Sequence, residues 1–143
     1  MEAPSAKELS VHPVVVAAFA AAWADSLSDN AKLRHEEGGW IYQNHVTGEI
    51  QIRRSLPGDL DGITLSYPAA LANNRVVATY HTHPNPTAGG WIPDPSPDDI
   101  YNADVTGVPW FIISDAGLYV VGPDRRIGGL SGPAKFPLIG DDP

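Results

Sequence analysis

The first long apolar segment of the chain, residues 11–27 (VHPVVVAAFAAAWADSL), has the spacing of a helix. Phe19, Trp23 and Leu27 follow one another at four-residue steps, which places their bulky side chains on one helical face. Proline is tolerated in the first turn of a helix, so Pro13 is compatible with this element. The segment therefore predicts one amphipathic helix.

After this helix the pattern changes to the alternation of apolar and polar residues that is typical of strands. Residues 39–55 contain two such runs on either side of the turn segment VTGE, which predicts a β-hairpin. Residues 63–68 (ITLSYP) predict a short strand, and residues 69–74 a connection or a helical turn. Residues 75–80 are β-branched and apolar, as a buried strand would be, and this strand runs directly into a pair of histidines.

The second half of the chain predicts a further helix and a further hairpin. Residues 97–105 (PDDIYNADV) have a helical pattern, with Ser96 as the N-cap and Pro97 at the first position. Residues 109–114 and 118–122 are two apolar runs on either side of the turn residues Asp-Ala-Gly. We predict that these two runs pair as strands.

The order of these elements indicates an α+β (mixed α/β) class. The chain has 143 residues, near the commonest domain size of roughly 100–150 residues. We assign residues 11–122 to one domain. Residues 1–10 are predicted to be a loose N-terminus, and residues 123–143 an irregular tail rich in glycine and proline.

Composition excludes several classes of function. Seventeen acidic and nine basic residues give a formal charge of −8, and no lysine or arginine cluster exceeds a pair, so we expect no nucleic-acid partner. The longest apolar run, residues 14–24, is shorter than the ~20 residues that cross a bilayer. We therefore expect no membrane association, and a cytoplasmic location or export without a conventional signal peptide. There is no cysteine, so a transition-metal site must use histidine and carboxylate.

Two histidines supply the candidate metal ligands. His81 and His83 project from the same face of an extended chain, so both can reach one ion. Zinc with an open coordination position usually takes three protein ligands and one water, so a carboxylate should complete the set. We prefer Asp99, on the first turn of the predicted second helix, and keep Asp98 and Asp94 as alternatives.

These motifs together resemble the JAMM metallopeptidases of the JAB/MPN fold. That family carries a glutamate, then H[ST]HP, then SxxD, and this chain has HTHP at 81–84 and SPDD at 96–99. Upstream, EEGGWIY at 36–42 is similar to the family's junction between helix and strand. The resemblance spans residues 11–122 and implies an N-terminal helix, a curved and mostly antiparallel sheet, and a second helix after the metal motif.

The resemblance also implies a role for each residue of the site. The implied ligands of one zinc ion are His81, His83 and Asp99. Glu36 is the implied general base that takes a proton from the attacking water, and Ser96 the donor to the tetrahedral oxyanion. The implied reaction is zinc-dependent hydrolysis of a peptide or isopeptide bond. Glu37, one position away from the family's register, remains the alternative base.

One departure from the family's pattern lies between the histidines and Ser96. Residues 85–95 make a longer connection than the family usually has at this place. The excess includes Gly89, Gly90 and Trp91, and Trp91 has no core periodicity there. We expect Trp91 to cover the cleft or to grip substrate.

The remaining histidines and tryptophans near these motifs have simpler expectations. His35 and His45 are predicted in loop and turn positions, which favour exposure to solvent over metal binding. Trp23, Trp40 and Trp110 are expected to be core aromatic residues.

The resemblance implies a protein or peptide substrate, of which ubiquitin-like and cell-wall peptides are the two classes considered. The pairing of EEGGWIY with HTHP resembles bacterial forms associated with Rhs-type polymorphic toxins, and a toxin would have an immunity protein as its partner. The alternative is a metal-binding or metal-free MPN-type scaffold. A deaminase of the cytidine type is excluded, because its zinc site needs PCxxC.

Overall fold

The computed structural model describes residues 2–65, 68–91 and 93–128. The helices within them are α1 (Ala6–Ser10), α2 (Pro13–Asp25), a 3-10 helix (Thr87–Gly89) and α3 (Pro97–Thr106). The strands within them are β1 (Gly38–Asn44), β2 (Ile50–Arg54), β3 (Asn74–His83), β4 (Trp110–Ser114), β5 (Gly117–Val121) and β6 (Ile127–Gly128).

The strands of the described residues form one open six-stranded sheet in the order β2-β1-β3-β4-β5-β6. Neighbouring strands are antiparallel except β3 and β4, which are parallel. A parallel pair needs a crossover connection, and the chain between β3 and β4 supplies it through α3. The predicted α+β class, with a mostly antiparallel sheet and a second helix after the histidine motif, is confirmed.

Helix α2 lies within the segment that the apolar spacing predicts. His12 is its N-cap, where Nδ1 accepts a hydrogen bond from the Val14 amide, and Pro13 occupies the first position. Phe19 is fully buried, and its ring centroid lies 5.1 Å from that of Phe111 in β4. The buried face of α2 therefore packs on one side of the sheet.

The prediction that Leu27 continues this buried face is wrong. The helix ends at Asp25, and Ser26 follows as its C-cap, with both its backbone N–H and its Oγ bonded to the Ala22 carbonyl. Leu27 then adopts a positive φ of 54° and is 42% exposed. Because the chain turns away directly after the cap, the four-residue spacing no longer sets the direction of its side chain.

The expectation that residues 1–10 are loose is wrong over α1. The Ser5 side chain accepts a hydrogen bond from the Glu8 amide, and the Glu8 carboxylate accepts one from the Ser5 amide, which is a capping box. Leu9 is 1% exposed and belongs to the core. Two reciprocal hydrogen bonds and a buried side chain thus order this short helix.

Both predicted hairpins are present, as β1 with β2 and as β4 with β5. The prediction of an irregular tail over residues 123–143 is wrong for Ile127–Gly128, which pair with β5 as β6. A turn makes this pairing possible, since the Gly122 amide donates to the Arg126 carbonyl at 2.8 Å. Residues 129–143 lie outside the described part of the chain.

The prediction of a strand over residues 63–68 is wrong, because the described residues among them are in no strand and residues 66–67 lie outside the described part. The edges of the described sheet are β2 and β6, and the described residues of this segment pair with neither. Leu65 instead packs against the cluster that contains Trp110. An apolar run alone does not show whether it joins a sheet or packs against one face of it.

Apolar side chains cover both faces of the sheet, and alternation along each strand decides which face a residue joins. In β4, Phe111 and Ile113 belong to the core cluster with α1 and α2. Trp110 and Ile112 belong to the second cluster, with Ala103 of α3. The sheet therefore separates an α2 side from an α3 side.

The tryptophans expected in the core are placed accordingly. Trp40 is 9% and Trp110 7% exposed, and Trp23 is half-buried against the cluster on the α2 side. Trp91 differs from them, with 40% of its surface exposed. The expectation of a core aromatic residue is confirmed for Trp40 and Trp110, whereas Trp23 is only partly buried against the core.

Candidate metal centre

Strand β3 ends in the two histidines of the HTHP motif. His81 lies opposite Gly38 of β1 and Ile112 of β4, so its backbone is held from both sides within the sheet. His83 projects from the same face two residues later, and the two ring centroids are 5.1 Å apart. Both imidazoles therefore face the α3 side of the sheet.

Gly38 brings the preceding segment close to these histidines. A Cβ atom at this position would lie 2.4 Å from the Tyr80 carbonyl oxygen and 2.8 Å from the Cβ of His81. Such distances exclude any side chain without movement of the backbone. Glycine at this position therefore allows β1 to begin directly beside the histidine strand, two residues after Glu36.

Glu36 lies with the histidines. One potential ligand atom from each of Glu36, His81 and His83 lies within 4.8 Å of the other two, so these three residues form a group that could hold a metal ion. The backbone of Glu36 is anchored to the β2–β3 connection. Its amide donates to the Asp59 carbonyl, and its carbonyl accepts from the Gly58 amide, both at 2.8 Å.

The surroundings of Glu36 favour its protonated form. Burial raises the pKa of Glu36 to about 7, and the nearby His81 and His83 oppose this shift. Among the described residues, no lysine or arginine forms an ion pair with its carboxyl group. Glu36 can therefore both accept and release a proton near neutral pH.

Glu37 is in a different environment. Its Oε1 accepts a hydrogen bond from Arg54 Nη2 at 2.7 Å, and its Oε2 contacts His35 Nε2. Arg54 also pairs with Asp25 at the end of α2, at 3.1 Å. Of the two adjacent glutamates, the structure brings Glu36 to the histidine pair, whereas Glu37 pairs with cationic side chains.

Asp99 reaches the histidines from the first turn of α3. Its Oδ1 lies 3.1 Å from His81 Nε2, and its Oδ2 lies 3.4 Å from His83 Nε2. Burial opposes ionisation of Asp99, but His81, with further hydrogen bonds from His83 and the Ser96 amide, holds its pKa well below the usual range. Burial likewise opposes protonation of His81, but Asp99 raises the pKa of this histidine.

The two alternative aspartates have other surroundings. Asp94 accepts a hydrogen bond from the Tyr119 hydroxyl at 3.3 Å, and Asp98 is exposed. Neither has an ion pair with a histidine among the described residues. Of the three carboxylates considered as ligands, Asp99 is the one in contact with both imidazoles.

Ser96 is the N-cap of α3. Its Oγ accepts a hydrogen bond from the Asp99 amide at 3.1 Å, and the Asp99 carboxylate accepts one from the Ser96 amide at 2.8 Å. A serine hydroxyl is one donor and two acceptors, so a cap that uses it as an acceptor leaves its proton free to be donated. Ser96 lines the cleft next to the histidines, where that proton can meet a ligand.

The histidines and carboxylates of this site are a donor set that could hold a metal ion. Tetrahedral zinc with bonds of about 2.0–2.1 Å to nitrogen and oxygen separates neighbouring ligand atoms by roughly 3.3 Å. Asp99 contacts the two histidines through different oxygens, Oδ1 at 3.1 Å from His81 Nε2 and Oδ2 at 3.4 Å from His83 Nε2, so each nitrogen has one carboxylate oxygen near this separation. Two imidazoles and a carboxylate are among the ligand sets by which proteins hold zinc.

The far sides of the two imidazoles differ. His83 Nδ1 lies 3.2 Å from the Pro93 carbonyl oxygen and can donate to it, so Nε2 is the ring nitrogen that would be available to a metal ion. Pro93 belongs to the longer connection of residues 85–95. His81 Nδ1 is buried and has no hydrogen-bond partner among the described residues. The connection thus orients one histidine, a role that its composition did not predict.

A cleft of about 1240 Å³ opens beside these residues. Five carboxylates line it: Glu36, Asp61, Asp94, Asp98 and Asp99. Apolar side chains line it as well, among them Trp40, Ile63, Leu65, Val108 and Trp110. Gly90 and Trp91 also line the cleft, and no lysine or arginine is among the described residues that do.

The two other histidines considered from the sequence lie away from this group. His45 is exposed in the turn after β1, as predicted. The expectation of exposure is wrong for His35, whose side chain is 23% exposed and contacts Glu37. The other ring nitrogen of His35 lies 2.8 Å from the Leu33 carbonyl oxygen, and this hydrogen bond is the main cause of its raised pKa.

Comparison with known proteins adds no assignment, since neither a family model nor a curated protein sequence matches the chain. None of the helices in the described part of the chain combines the length and the apolar character that a membrane span requires. The chemistry of the site therefore rests on its own geometry.

Proposed function

We propose that this protein is a zinc-dependent hydrolase of a peptide or isopeptide bond, of the type that the JAMM resemblance implies. One observation carries the proposal. The Glu36 carboxyl group, without a described basic partner, lies beside His81 and His83 in the wall of a large cleft. A buried carboxyl group with a pKa of about 7 next to a metal-binding pair suits proton transfer during hydrolysis.

The ligands assigned to zinc are His81, His83 and Asp99. The contacts of Asp99 with both Nε2 atoms support this set. Zinc supplies Lewis acidity there and lowers the pKa of water to around 7. The hydrogen bond from His83 to the Pro93 carbonyl supports the choice of Nε2 as the ligand atom of that histidine.

Glu36 acts as the proton carrier. As a carboxylate it takes the proton of the attacking water, and as a carboxylic acid it returns that proton to the leaving amine. Its raised pKa suits both steps near neutral pH, because neither protonation state is strongly favoured. The hydrogen bonds of its backbone to Gly58 and Asp59 hold it in place while the proton moves.

Ser96 stabilises the negative charge that develops on the substrate carbonyl oxygen. Its Oγ already accepts the Asp99 amide, and its proton is directed at the oxyanion. The cap fixes the position of the oxygen before substrate arrives, so little reorganisation is needed. Helix capping and catalysis therefore use different parts of the same hydroxyl group.

The cleft supports a peptide as the substrate. Carboxylates without described cations favour a neutral or basic segment, and the apolar lining residues can contact a hydrophobic side chain. Ubiquitin-like C-terminal peptides and cell-wall peptides are the two classes to test. A toxin role with an immunity protein, and a cytoplasmic or exported location, belong to the same proposal.

The experiment begins with the metal. Elemental analysis of the purified protein, with zinc titration, should give about one zinc ion per chain. The loaded protein should then cleave quenched fluorescent peptides that represent ubiquitin-like tails or cell-wall stems, and Glu36→Gln should not. If the protein neither retains nor binds zinc, the hydrolase proposal is wrong and the MPN-type scaffold replaces it.

A further inference from the structure

Thr82 lies between the two histidines of β3 but on the opposite face. Successive side chains of a strand alternate, so Thr82 projects to the α2 side while His81 and His83 project to the α3 side. It is fully buried. Its hydroxyl oxygen lies 2.6 Å from the Ser26 Oγ at the end of α2 and accepts a hydrogen bond from the Glu37 amide at 3.0 Å.

The hydrogen-bond partners determine the order of donors in this group. The Ser26 hydroxyl has one proton, and it points to the Ala22 carbonyl, an acceptor only, at 2.9 Å. The Thr82 hydroxyl must therefore donate to Ser26 and accept from the Glu37 amide. One directed chain results, from the Glu37 N–H through Thr82 and Ser26 to the carbonyl of Ala22 in α2.

This chain of hydrogen bonds begins one residue from Glu36, at the Glu37 amide. The Thr82 amide also donates to the Glu37 carbonyl at 2.9 Å, so Thr82 and Glu37 exchange two hydrogen bonds. On its other side, Glu36 exchanges two backbone hydrogen bonds with Gly58 and Asp59. The segment that carries Glu36 is thus fastened to the histidine strand through the backbone and through the hydroxyl group of Thr82.

We propose that Thr82 is a positioning residue, which with Ser26 holds the Glu36 carboxyl group at its place beside the two histidines. The strand pairings of β3 with β1 and β4 hold the histidines themselves. Loss of the Thr82 hydroxyl group therefore moves the proton carrier without removing the metal ligands. The effect on catalysis rests on the proposed function, whereas the effect on the hydrogen bonds does not.

The test compares three substitutions in the same strand. Thr82→Val removes the hydroxyl group at nearly constant volume, and Thr82→Ser keeps it. Thr79→Val is the matched control, because Thr79 is equally buried in β3 and its hydroxyl oxygen has no hydrogen-bond partner among the described residues.

The first readout uses the metal-free protein. Hydrogen exchange of the Glu37 amide should accelerate by at least about tenfold in Thr82→Val, because the hydroxyl oxygen that accepts its hydrogen bond is removed. Exchange should stay near the wild-type rate in Thr82→Ser and Thr79→Val. An unchanged rate in Thr82→Val, or an equal acceleration in Thr79→Val, overturns the proposed hydrogen-bond chain whether or not the protein hydrolyses anything.

The second readout uses the zinc-loaded protein and the best-cleaved quenched peptide. We expect kcat of Thr82→Val to fall by at least about tenfold, because a displacement of 1 Å can reduce a rate by about a hundredfold. KM and zinc affinity should stay within about threefold, and Thr82→Ser should restore kcat. Wild-type kcat in Thr82→Val overturns the positioning role. If the wild-type protein binds no zinc and cleaves nothing, the proposed function fails while the exchange result stands.

A second variant covers the case in which Thr82→Val does not fold. Ser26→Ala removes the acceptor of the Thr82 hydroxyl group and leaves Thr82 in place. A drop in kcat of about threefold or more, at unchanged zinc affinity, supports the positioning role. Wild-type kcat and wild-type Glu37 exchange in folded Ser26→Ala overturn it.

Discussion

Glu36 and Glu37 are adjacent in the chain and equally buried, each with 5% of its surface exposed. Glu37 points to the α2 side, where Arg54 and His35 surround its carboxylate with donors. Glu36 lies on the cleft side, where the nearest described groups are the histidine pair and other carboxylates. The two adjacent glutamates therefore differ in the charged groups that surround their carboxyl groups.

This difference separates a carboxylate held by ion pairs from one with a raised pKa. The partners of a buried, paired carboxylate compensate its charge. A buried carboxyl group without such a partner has a raised pKa, which is the property that proton transfer requires. We therefore expect substitution of Glu36 to affect activity and substitution of Glu37 to affect stability.

The largest effect is expected for His81→Ala. It removes a proposed ligand that is held in the sheet, so zinc affinity should fall by more than the roughly 10–100-fold typical of an outer-shell change, and hydrolysis should fall to background. His45→Ala, at an exposed turn, is the matched control and should leave both unchanged. Zinc titration followed by calorimetry decides, and full zinc occupancy in His81→Ala would show that the cleft side is not a metal site.

Glu36→Gln should reduce kcat by about 10²–10⁴-fold, because the amide cannot carry a proton. Zinc affinity should stay within about threefold if Glu36 is not a ligand, and Asp99→Asn should lower it by more than tenfold. Calorimetric titration of both variants compares the two carboxylates directly. Loss of zinc in Glu36→Gln with retention in Asp99→Asn would make Glu36 the third ligand, and the contrast with Glu37 would then concern metal binding rather than proton transfer.

Ser96 extends the comparison to one side chain with two roles. Ser96→Ala should lower kcat by about 10²–10³-fold through the lost oxyanion donor, and should destabilise α3 by about 1 kcal/mol through the lost cap. Ser96→Asp keeps a good cap without a donor, so it should retain stability and not activity. Denaturant unfolding and kcat measured in parallel separate the roles, and full activity in Ser96→Asp would exclude Ser96 as the donor.

Local features of the site could be predicted from sequence. His81 and His83 share a face because they are two residues apart on a strand. Ser96 followed by Pro97 marks a helix start, which puts Asp99 on its first turn. Each of these inferences depends on spacing within one element.

Contacts between distant elements could not be predicted. The Thr82–Ser26 hydrogen bond joins residues 56 positions apart, and nothing in the spacing indicates it. Arg54, which pairs with Glu37 and not with Glu36, lies 17 positions from Glu37 in the sequence. Alternation alone could have placed Thr82 on the face opposite the histidines, but its partners there depend on how α2 ends.

One short local signal could have predicted a helix in the N-terminal segment. Ser5 and Glu8 have the S-x-x-E spacing of a capping box, which indicates the start of α1. The apolar run at residues 63–68 had the opposite problem, since its composition suits a strand but its described residues join no strand and Leu65 packs against the Trp110 cluster. Capping depends on neighbouring residues, whereas strand pairing depends on a partner elsewhere in the chain.

The smallest effect on activity is expected for Glu37→Gln. Because Glu37 faces away from the cleft, kcat and zinc affinity should stay within about threefold, while the loss of two partly exposed ion pairs should lower the free energy of unfolding by about 1–2 kcal/mol. This loss should depend on pH. The Leu33 carbonyl first, and Glu37 in addition, raise the pKa of His35 above its ordinary value of 6.5.

Protonated His35 therefore contributes stability that is fully present below the pKa of the unfolded chain and is lost as pH rises through the higher folded value. The stability difference between wild type and Glu37→Gln should be larger at pH 6 than at pH 9, where only Arg54 still pairs with Glu37. Thermal unfolding of the metal-free proteins at both pH values measures it, with Glu49→Gln at an exposed position as the control. If Glu37→Gln has wild-type stability but no activity, the assignment of the two glutamates is reversed, and Glu37 is the residue that carries the proton.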